Sequence, residues 1–250
     1  MRSSGDRRSE VKEEGWAKPG PGDMSGAGYP MASPARLALH DRRSVSPKRL
    51  GAPGPSVDQL ETVVHAALRA PDHGGLTPWR VVHIPADQRD ALAQLFIEEK
   101  RRRDPMVSAD DLARAREHAL NAPTLMAFVV CPRQGTTVPL HEQWLAAGAA
   151  LGNILNAFHA LGFGAIVLSG DRCGDLQLAQ RLGLHDGEKL AGFISAGTVL
   201  KAPPAATAKP IDAVWSDWSG PTQTGAGNPS NGTMRSISAA PSLSKKSLKA

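Results

Sequence analysis

The sequence predicts an α+β domain, a mixed β-sheet with helices against both of its faces. Three observations carry this. Short apolar runs suited to strands alternate with segments of helical period, but without the regularity of βαβ units. The stretch 141–161 is rich in Ala and Leu and apolar over more than one helical face. Such a helix packs on the sheet with one side and on something else, such as a second subunit, with the other. Finally, the two ends of the chain lack any apolar period. Residues 1–34 are polar and Gly/Pro/Ser-rich, and residues 220–250 are a basic Ser/Gly/Pro/Ala-rich tail. Neither can offset the entropy of ordering, so both are expected to be disordered. The domain is therefore placed at residues 35–219.

In chain order, Ala35 to Arg43 suits a short helix through Leu37 and Leu39. Ser56 opens the next helix, with Gln59 three residues on as a capping box. Leu60, Val63, Val64, Ala67 and Leu68 keep the helical period until Pro71 stops it. Trp79–Ile84 is the first strand. Asp87 is expected to cap a helix to about Arg101, with the Lys100–Arg103 cluster a solvated last turn that suits the dipole. Ser108 and Asp111 open a further helix to about Leu120. Thr124–Cys131 is a continuous apolar run, the mark of a central strand. After the long helix, ended by Gly162, come a strand at Phe163–Leu168, a helix at Asp175–Leu182 and a strand at Lys189–Thr198.

Charge excludes one partner class. The net charge is +5, but residues 220–250 hold Arg235, Lys245, Lys246 and Lys249 and no acid. The N-terminal segment is balanced, so the domain is nearly neutral and no nucleic-acid partner is expected. The tail lysines, with no aromatic between them, read as solubilising rather than as a docking patch for an acidic surface. The apolar run near 144–168 is broken by Asn153, Asn156 and His159, so no membrane span is expected. Residues 1–30 have no continuous apolar segment of signal-peptide type, and Met24 and Met31 leave alternative starts open. Cys131 and Cys173 form no CxxC; reduced thiols acting as fillers in a cytoplasmic protein are expected.

Several chemistries are excluded as well. His141-Glu142 begins like a zinc-protease motif, but position 145 is leucine. The eight histidines show no metal-like spacing, and no P-loop or GxSxG is present. Gly162-Phe163-Gly164 follows a helix and precedes a strand, the reverse of a dinucleotide fingerprint. No metal and no catalytic side chain is assigned.

Two segments stand out. Arg42-Arg43-Ser44 sets two guanidiniums and a hydroxyl side by side before a Pro/Gly-rich turn. Arg69-Ala70-Pro71-Asp72-His73-Gly74-Gly75 ends a helix and turns rigidly through Pro78 into Trp79. Guanidiniums and hydroxyls at turns and helix ends suit a phosphorylated ligand. Each segment alone is an ordinary surface feature. Their order carries more, together with Glu142-Gln143, Ala147–Ala150, Asn153, Ala160–Ala165, Ser169-Gly170 and Gly197-Thr198. In this order the residues resemble the FMN-dependent nitroreductases, and especially their small single-domain YdjA-like branch, over about residues 36–218.

The resemblance implies a three-layer sandwich and an interlocked homodimer with FMN at the subunit interface and an exchanged C-terminal segment. Carried over by position, Arg42, Arg43 and Ser44 contact the FMN phosphate and ribityl chain from one subunit, and Arg69 and His73 reach it from the other. Val167, Leu168 and Ser169 occupy the place of a Trp-Arg-Ser/Thr triplet at the phosphate end of the flavin. Ala157, Phe158, His159, Ala160, Leu161 and Gly162 match a stretch assigned to nicotinamide nucleotide. The implied activity is ping-pong transfer of hydride from NAD(P)H through FMN to a small-molecule acceptor such as a nitroaromatic or quinone. Reductive dehalogenation or dehydrogenation on the same fold, and flavin binding without turnover, are the alternatives. Segment 98–122 is a candidate lid. Leu168 departs from the pattern, because an arginine is missing there. The loss of one charge-assisted hydrogen bond is worth about 1.5–3 kcal/mol, so looser FMN binding is expected. Arg43, Lys48 and Arg172 are the cations placed to compensate.

Overall fold

The computed structural model describes residues 39–204, 210–218 and 220. The disorder expected of 1–34 and of the tail past Gly220 falls outside the described residues, as does Leu37. The chain divides into two units, Met1–Ala206 and Thr207–Ala250. The described part of the second contains one 3-10 turn, Ile211–Ala213.

The strands of the first unit are β1 (Leu50–Gly51), β2 (Trp79–His83), β3 (Thr124–Val130), β4 (Gly164–Leu168) and β5 (Lys189–Val199). β5 is the hub: β3 pairs with it antiparallel from Thr124↔Ala196, β4 from Gly164↔Gly197, and β1 at Leu50↔Val199. β2 adds antiparallel to β3 at the edge. The parallel element is a single bridge, Ser44↔Ala165, which lays the Arg-Arg-Ser segment along β4.

Among the described residues, the helices that cover the sheet are α1 (Val57–Ala67), α2 (Arg89–Arg103), α3 (Ala109–Leu120), α4 (Leu140–Ala160) and α5 (Leu176–Arg181). The unbroken apolar run of β3 is explained by its position. Met126, Phe128 and Val130 pack against Val63 of α1 and Ile154 and Phe158 of α4. The alternate residues Leu125, Ala127 and Val129 face Phe96 of α2, Ala119 of α3 and Leu178 of α5. With both faces covered, alternation has no polar side to express. The three layers expected from the sequence are present. α4 is buried along Ala147, Ala150, Ile154 and Phe158, while Trp144 and Leu145 remain 42% and 69% exposed.

Several local expectations hold in detail. Ser56 and Gln59 form the reciprocal capping box, and Ser108 accepts from the Asp111 amide. Others need correction. Asp87 lies within a 3-10 turn, and Gln88 stands at the N-cap of α2 without a side-chain bond. Nor is the basic last turn of α2 simply solvated. Arg102 forks onto Asp175 at 2.7 and 3.2 Å, and Arg103 pairs with Glu99 and Asp171. These bonds tie the helix to the segment after β4, and the candidate lid 98–122 comprises the end of α2 and the helix that follows it, Ala109–Leu120. Their buried Glu99, Ala115 and Ala119 hold them down. Cys131 and Cys173 are free thiols.

A second ionic cluster pins β2 to the turn before β5. Arg80 donates to both oxygens of Glu188 at 2.9 and 2.7 Å, and the Cys131 thiol donates to the same carboxylate. Arg80 holds Glu188 down to about 2 from its usual 4.5. Burial pushes Cys131 up to about 11, which keeps it a thiol. The lowered carboxylate contributes stability that is complete above its unfolded value and is lost as pH falls from about 4.5 towards about 2. The amount is on the order of 2–3 kcal/mol. Urea midpoints of wild type and Glu188→Gln should therefore differ clearly at neutral pH and converge at the acid end of that window. A constant difference would sink the assignment.

Candidate functional site

The Arg-Arg-Ser segment forms an added edge on β4: the Val45 amide donates to Ala165 O at 3.1 Å. Alternate side chains of such a segment point opposite ways. Arg43 enters a cavity of about 430 Å³ with His159, Gly162 and Gly164, and donates to Pro204 O at 3.2 Å. Arg42 is half-buried, and its Nη1 is sealed from solvent with no partner among the described residues. Ser44 is exposed.

Within 157–162, the structure separates the residues by role. His159 and Gly162 line the cavity with Arg43. Phe158 is fully buried in the core beneath α4, so its side chain is structural and reaches no ligand. Gly162 turns the chain into β4 with φ of +85°, a conformation that favours glycine.

The Arg69–Gly75 turn is built by its own aspartate. Asp72 Oδ2 accepts from the Thr77 amide at 2.6 Å and fixes Thr77 at φ of +45°. Gly74 and Gly75 also take positive φ. Arg69 and His73 stand exposed on this frame. His73 Nδ1 donates to Glu142 Oε2 at 2.6 Å, which leaves Nε2 facing outward. Glu142 stood in the sequence pattern beside Gln143, but only the fold shows that its partner is His73. Its neighbour Gln143 is 3% exposed and serves the scaffold, bonding Arg133 N, Arg133 O and Val138 O.

His73 and Arg43 do not meet in one protomer. His73 is bound to the first turn of α4, whereas Arg43 shares its cavity with His159 in the last turn. At 1.5 Å per residue these ends of the helix lie about 25 Å apart.

At the far end of β4, Leu168 and Ser169 line another cavity, of about 320 Å³. Phe96 and Phe193, packed edge to face at 5.0 Å, supply apolar walls. Arg172 lies 4.1 Å above the Phe96 ring and donates to His118 Nδ1 at 3.2 Å. Burial, aided by the Arg172 charge, lowers His118 and favours its neutral form. Of the other cations near the site, Lys48 is engaged by Glu117 at 3.3 Å. Val167 packs into the core on the α4 side of the sheet. Among the described residues no group of three or more metal-ligating side chains exists, and no helix is long and apolar enough to cross a membrane.

A mixed sheet edged by an Arg-Arg-Ser strand, with a rigid Asp-His turn at the other end of a long central helix, defines a class of protein. The chain belongs to the nitroreductase family, which it matches over residues 39–198. It is 31% identical over 162 residues to the Escherichia coli (strain K12) protein named "Putative NAD(P)H nitroreductase YdjA", covering 64% of this chain and 85% of that one. Among solved structures, a nitroreductase-like family protein from Bacillus cereus superposes with a TM-score of 0.64 at 20% identity, over 78% of this chain and all of that one. An NADPH:FMN oxidoreductase from Vibrio harveyi, complexed with NAD+, gives 0.58 at 15% identity, over 74% and 77%.

Proposed function

We propose that the protein is an FMN-dependent NAD(P)H oxidoreductase that reduces nitroaromatic, quinone or similar small acceptors, and that its flavin site is completed by a second copy of the chain. Membership of the family and the names of the relatives support the cofactors. The observation that carries the site is Arg42: a guanidinium nitrogen shut off from water with no partner among the described residues, beside an exposed hydroxyl and Arg43. A buried donor left unsatisfied is costly, and a phosphate oxygen is the acceptor that fits it. The residues present thus suit FMN.

Bound FMN supplies the chemistry: it carries two electrons from NAD(P)H to the acceptor in alternating half-reactions. The chain's own residues bind and orient. Arg42, Arg43 and Ser44 hold the phosphate end. Arg69 and His73 reach the flavin of the partner, with His73, held at the end of α4 remote from Arg43, steered by Glu142. Val167, Leu168 and Ser169 border the cofactor along β4. His159 and Gly162, in the Arg43 cavity, are the members of the 157–162 stretch placed to touch a nucleotide. The exposed Trp144 and Leu145 on α4, and an apolar groove of about 550 Å³ that includes Leu60, Val64, Trp79 and Val81, offer the surface a homodimer would cover.

Purified protein should carry, or take up on addition of FMN, the visible absorption of a flavin. That absorption should bleach anaerobically with NADH or NADPH and return when a nitroaromatic or quinone is added. Protein that takes up no flavin would overturn the proposal, and flavin that never bleaches would reduce it to a binding protein.

A further inference from the structure

The cavity at the end of β4 lies on the sheet face that α2 and α3 cover. Ser195 pairs with Leu125, and Leu168 with Phe193, and directly paired residues share a face. The other face is packed by α4 through Ile154 and Phe158. Phe96 and Phe193, edge to face at 5.0 Å, form with Leu125 and Leu168 one apolar wall of the cavity. Set among these side chains is the hydroxyl of Ser195, a residue only 1% exposed, whose Oγ is buried with no partner among the described residues. Its backbone already serves the strands on both sides, and alanine would serve the sheet as well. A buried hydroxyl left unpaired is costly, so its presence points to a partner from outside the chain.

The charge of the lining says what that partner carries. Lys100, Arg103 and Arg172 face a single carboxylate, Asp171. Arg103 bonds both Asp171 and the buried Glu99, and so answers the two acids at once. Asp111 of α3, within the field of Lys100, is bonded by Ser108 and Arg114. Among the described residues neither Lys100 nor Arg172 bonds a carboxylate, and Glu99 reaches Arg172 only through its field. Arg172 rests 4.1 Å above the Phe96 ring and donates to His118 Nδ1, contacts that orient the guanidinium without neutralising it. Two unanswered cations beside an apolar wall suit a ligand with one flat apolar body and one negative charge. A free phosphate would have to shed its water against phenyl rings, whereas the fork of a guanidinium matches a carboxylate. At about 320 Å³ the cavity stands at the small end of ligand sites, enough for a single ring.

We infer that this cavity binds a small aromatic carboxylate, with its ring against Phe193 and Leu168, its carboxylate on Arg172 and Lys100, and the Ser195 hydroxyl on a polar substituent of the ring. Leucine at 168, where the resemblance expects arginine, keeps that wall apolar. The site does not depend on the flavin reading. It shares only Leu168 and Ser169 with the residues proposed to border FMN. The phosphate assigned to Arg42–Ser44 belongs beside Ala165, about 13 Å along the extended strand from Ser169.

Ligand-observed NMR titration of the full-length protein with benzoate, benzamide, and meta- and para-hydroxybenzoate tests this. Benzoate should bind, and its uncharged counterpart benzamide about ten- to hundredfold more weakly. Arg172→Gln and Lys100→Gln should each weaken benzoate and leave benzamide unchanged, which also shows that the variants fold. One of the two hydroxybenzoates should bind more tightly than benzoate. Ser195→Ala should abolish that gain without lowering the urea midpoint, since the hydroxyl has no partner among the described residues to lose. Saturating FMN should leave the benzoate affinity unchanged. The proposal is overturned by absence of benzoate binding, by equal affinity for benzamide, or by inorganic phosphate binding as tightly as benzoate. Displacement of benzoate by FMN would also overturn it, because the cavity would then belong to the flavin site. Protein that takes up no flavin bears on the proposed function alone and leaves the benzoate result standing.

Discussion

Replacing Arg89 by methionine should cost about 3–5 kcal/mol of folding stability, the largest single-residue effect expected outside the apolar core. Arg89 opens α2 and is only 6% exposed. Its guanidinium donates to Ile84 O at 3.0 Å, Ala119 O at 2.8 Å, and Ala122 O and Pro123 O at 3.3 Å. These carbonyls belong to the end of β2's extension, the last turn of α3 and the approach to β3. One side chain therefore stitches both outer helices to the sheet. Burial lowers its pKa to about 10, still far above neutrality, so the charge persists without a carboxylate nearby. The carbonyl dipoles at the C-terminal end of α3 favour a cation in this position. Methionine fills most of the volume but leaves the carbonyls dry and unpaired. Lysine retains the charge yet cannot fork, so it should recover only part of the loss. Urea denaturation of both variants checks this; a loss below about 1 kcal/mol in Arg89→Met would mean that water replaces the guanidinium at little cost.

Mixing two inactive variants should restore flavin binding. R42A/R43A removes the phosphate end of the site, and R69A/H73A removes the turn supplied from the other protomer. Each homodimer should lose most FMN affinity. In a mixed dimer, one of the two sites draws its strand from the second variant and its turn from the first, and is intact. Random reassembly of equal amounts should therefore recover about a quarter of the wild-type sites, through the symmetry of a two-fold dimer. The unfolding transitions of the variants should match wild type, because Arg69 and His73 are exposed, Arg43 makes only one peripheral bond, and the sealed Arg42 nitrogen has no partner among the described residues to lose. A site completed within one chain would give no recovery at all. That outcome would contradict the 25 Å separation along α4 as the reason for needing two copies.

Much of the architecture could be read from residue order, because local chemistry and burial agree there. The cap at Ser56, the buried strand at Thr124–Val130, the turn at Gly162 and the long helix α4 are each set by neighbours a few residues away, or by a face that must be covered. The two cationic turns were equally legible as segments. What they do to each other was not, since spacing in sequence says nothing about which edge of a sheet a segment joins.

The roles that only the fold assigns belong to long or buried polar side chains. Nothing in the sequence singles out Arg89, while Lys100–Arg103 read as a solvated helix end and Phe158 as part of a nucleotide contact. Tertiary packing buried the first, tied Arg102 and Arg103 of the second to the Asp171–Asp175 segment, and placed the third in the core. His73–Glu142 has the same character: the pair is made by elements meeting in space. Periodicity and capping act over one or two turns of chain and so survive in the sequence. Charge pairing and desolvation depend on distance through space, and that distance exists only once the sheet and its helices have assembled.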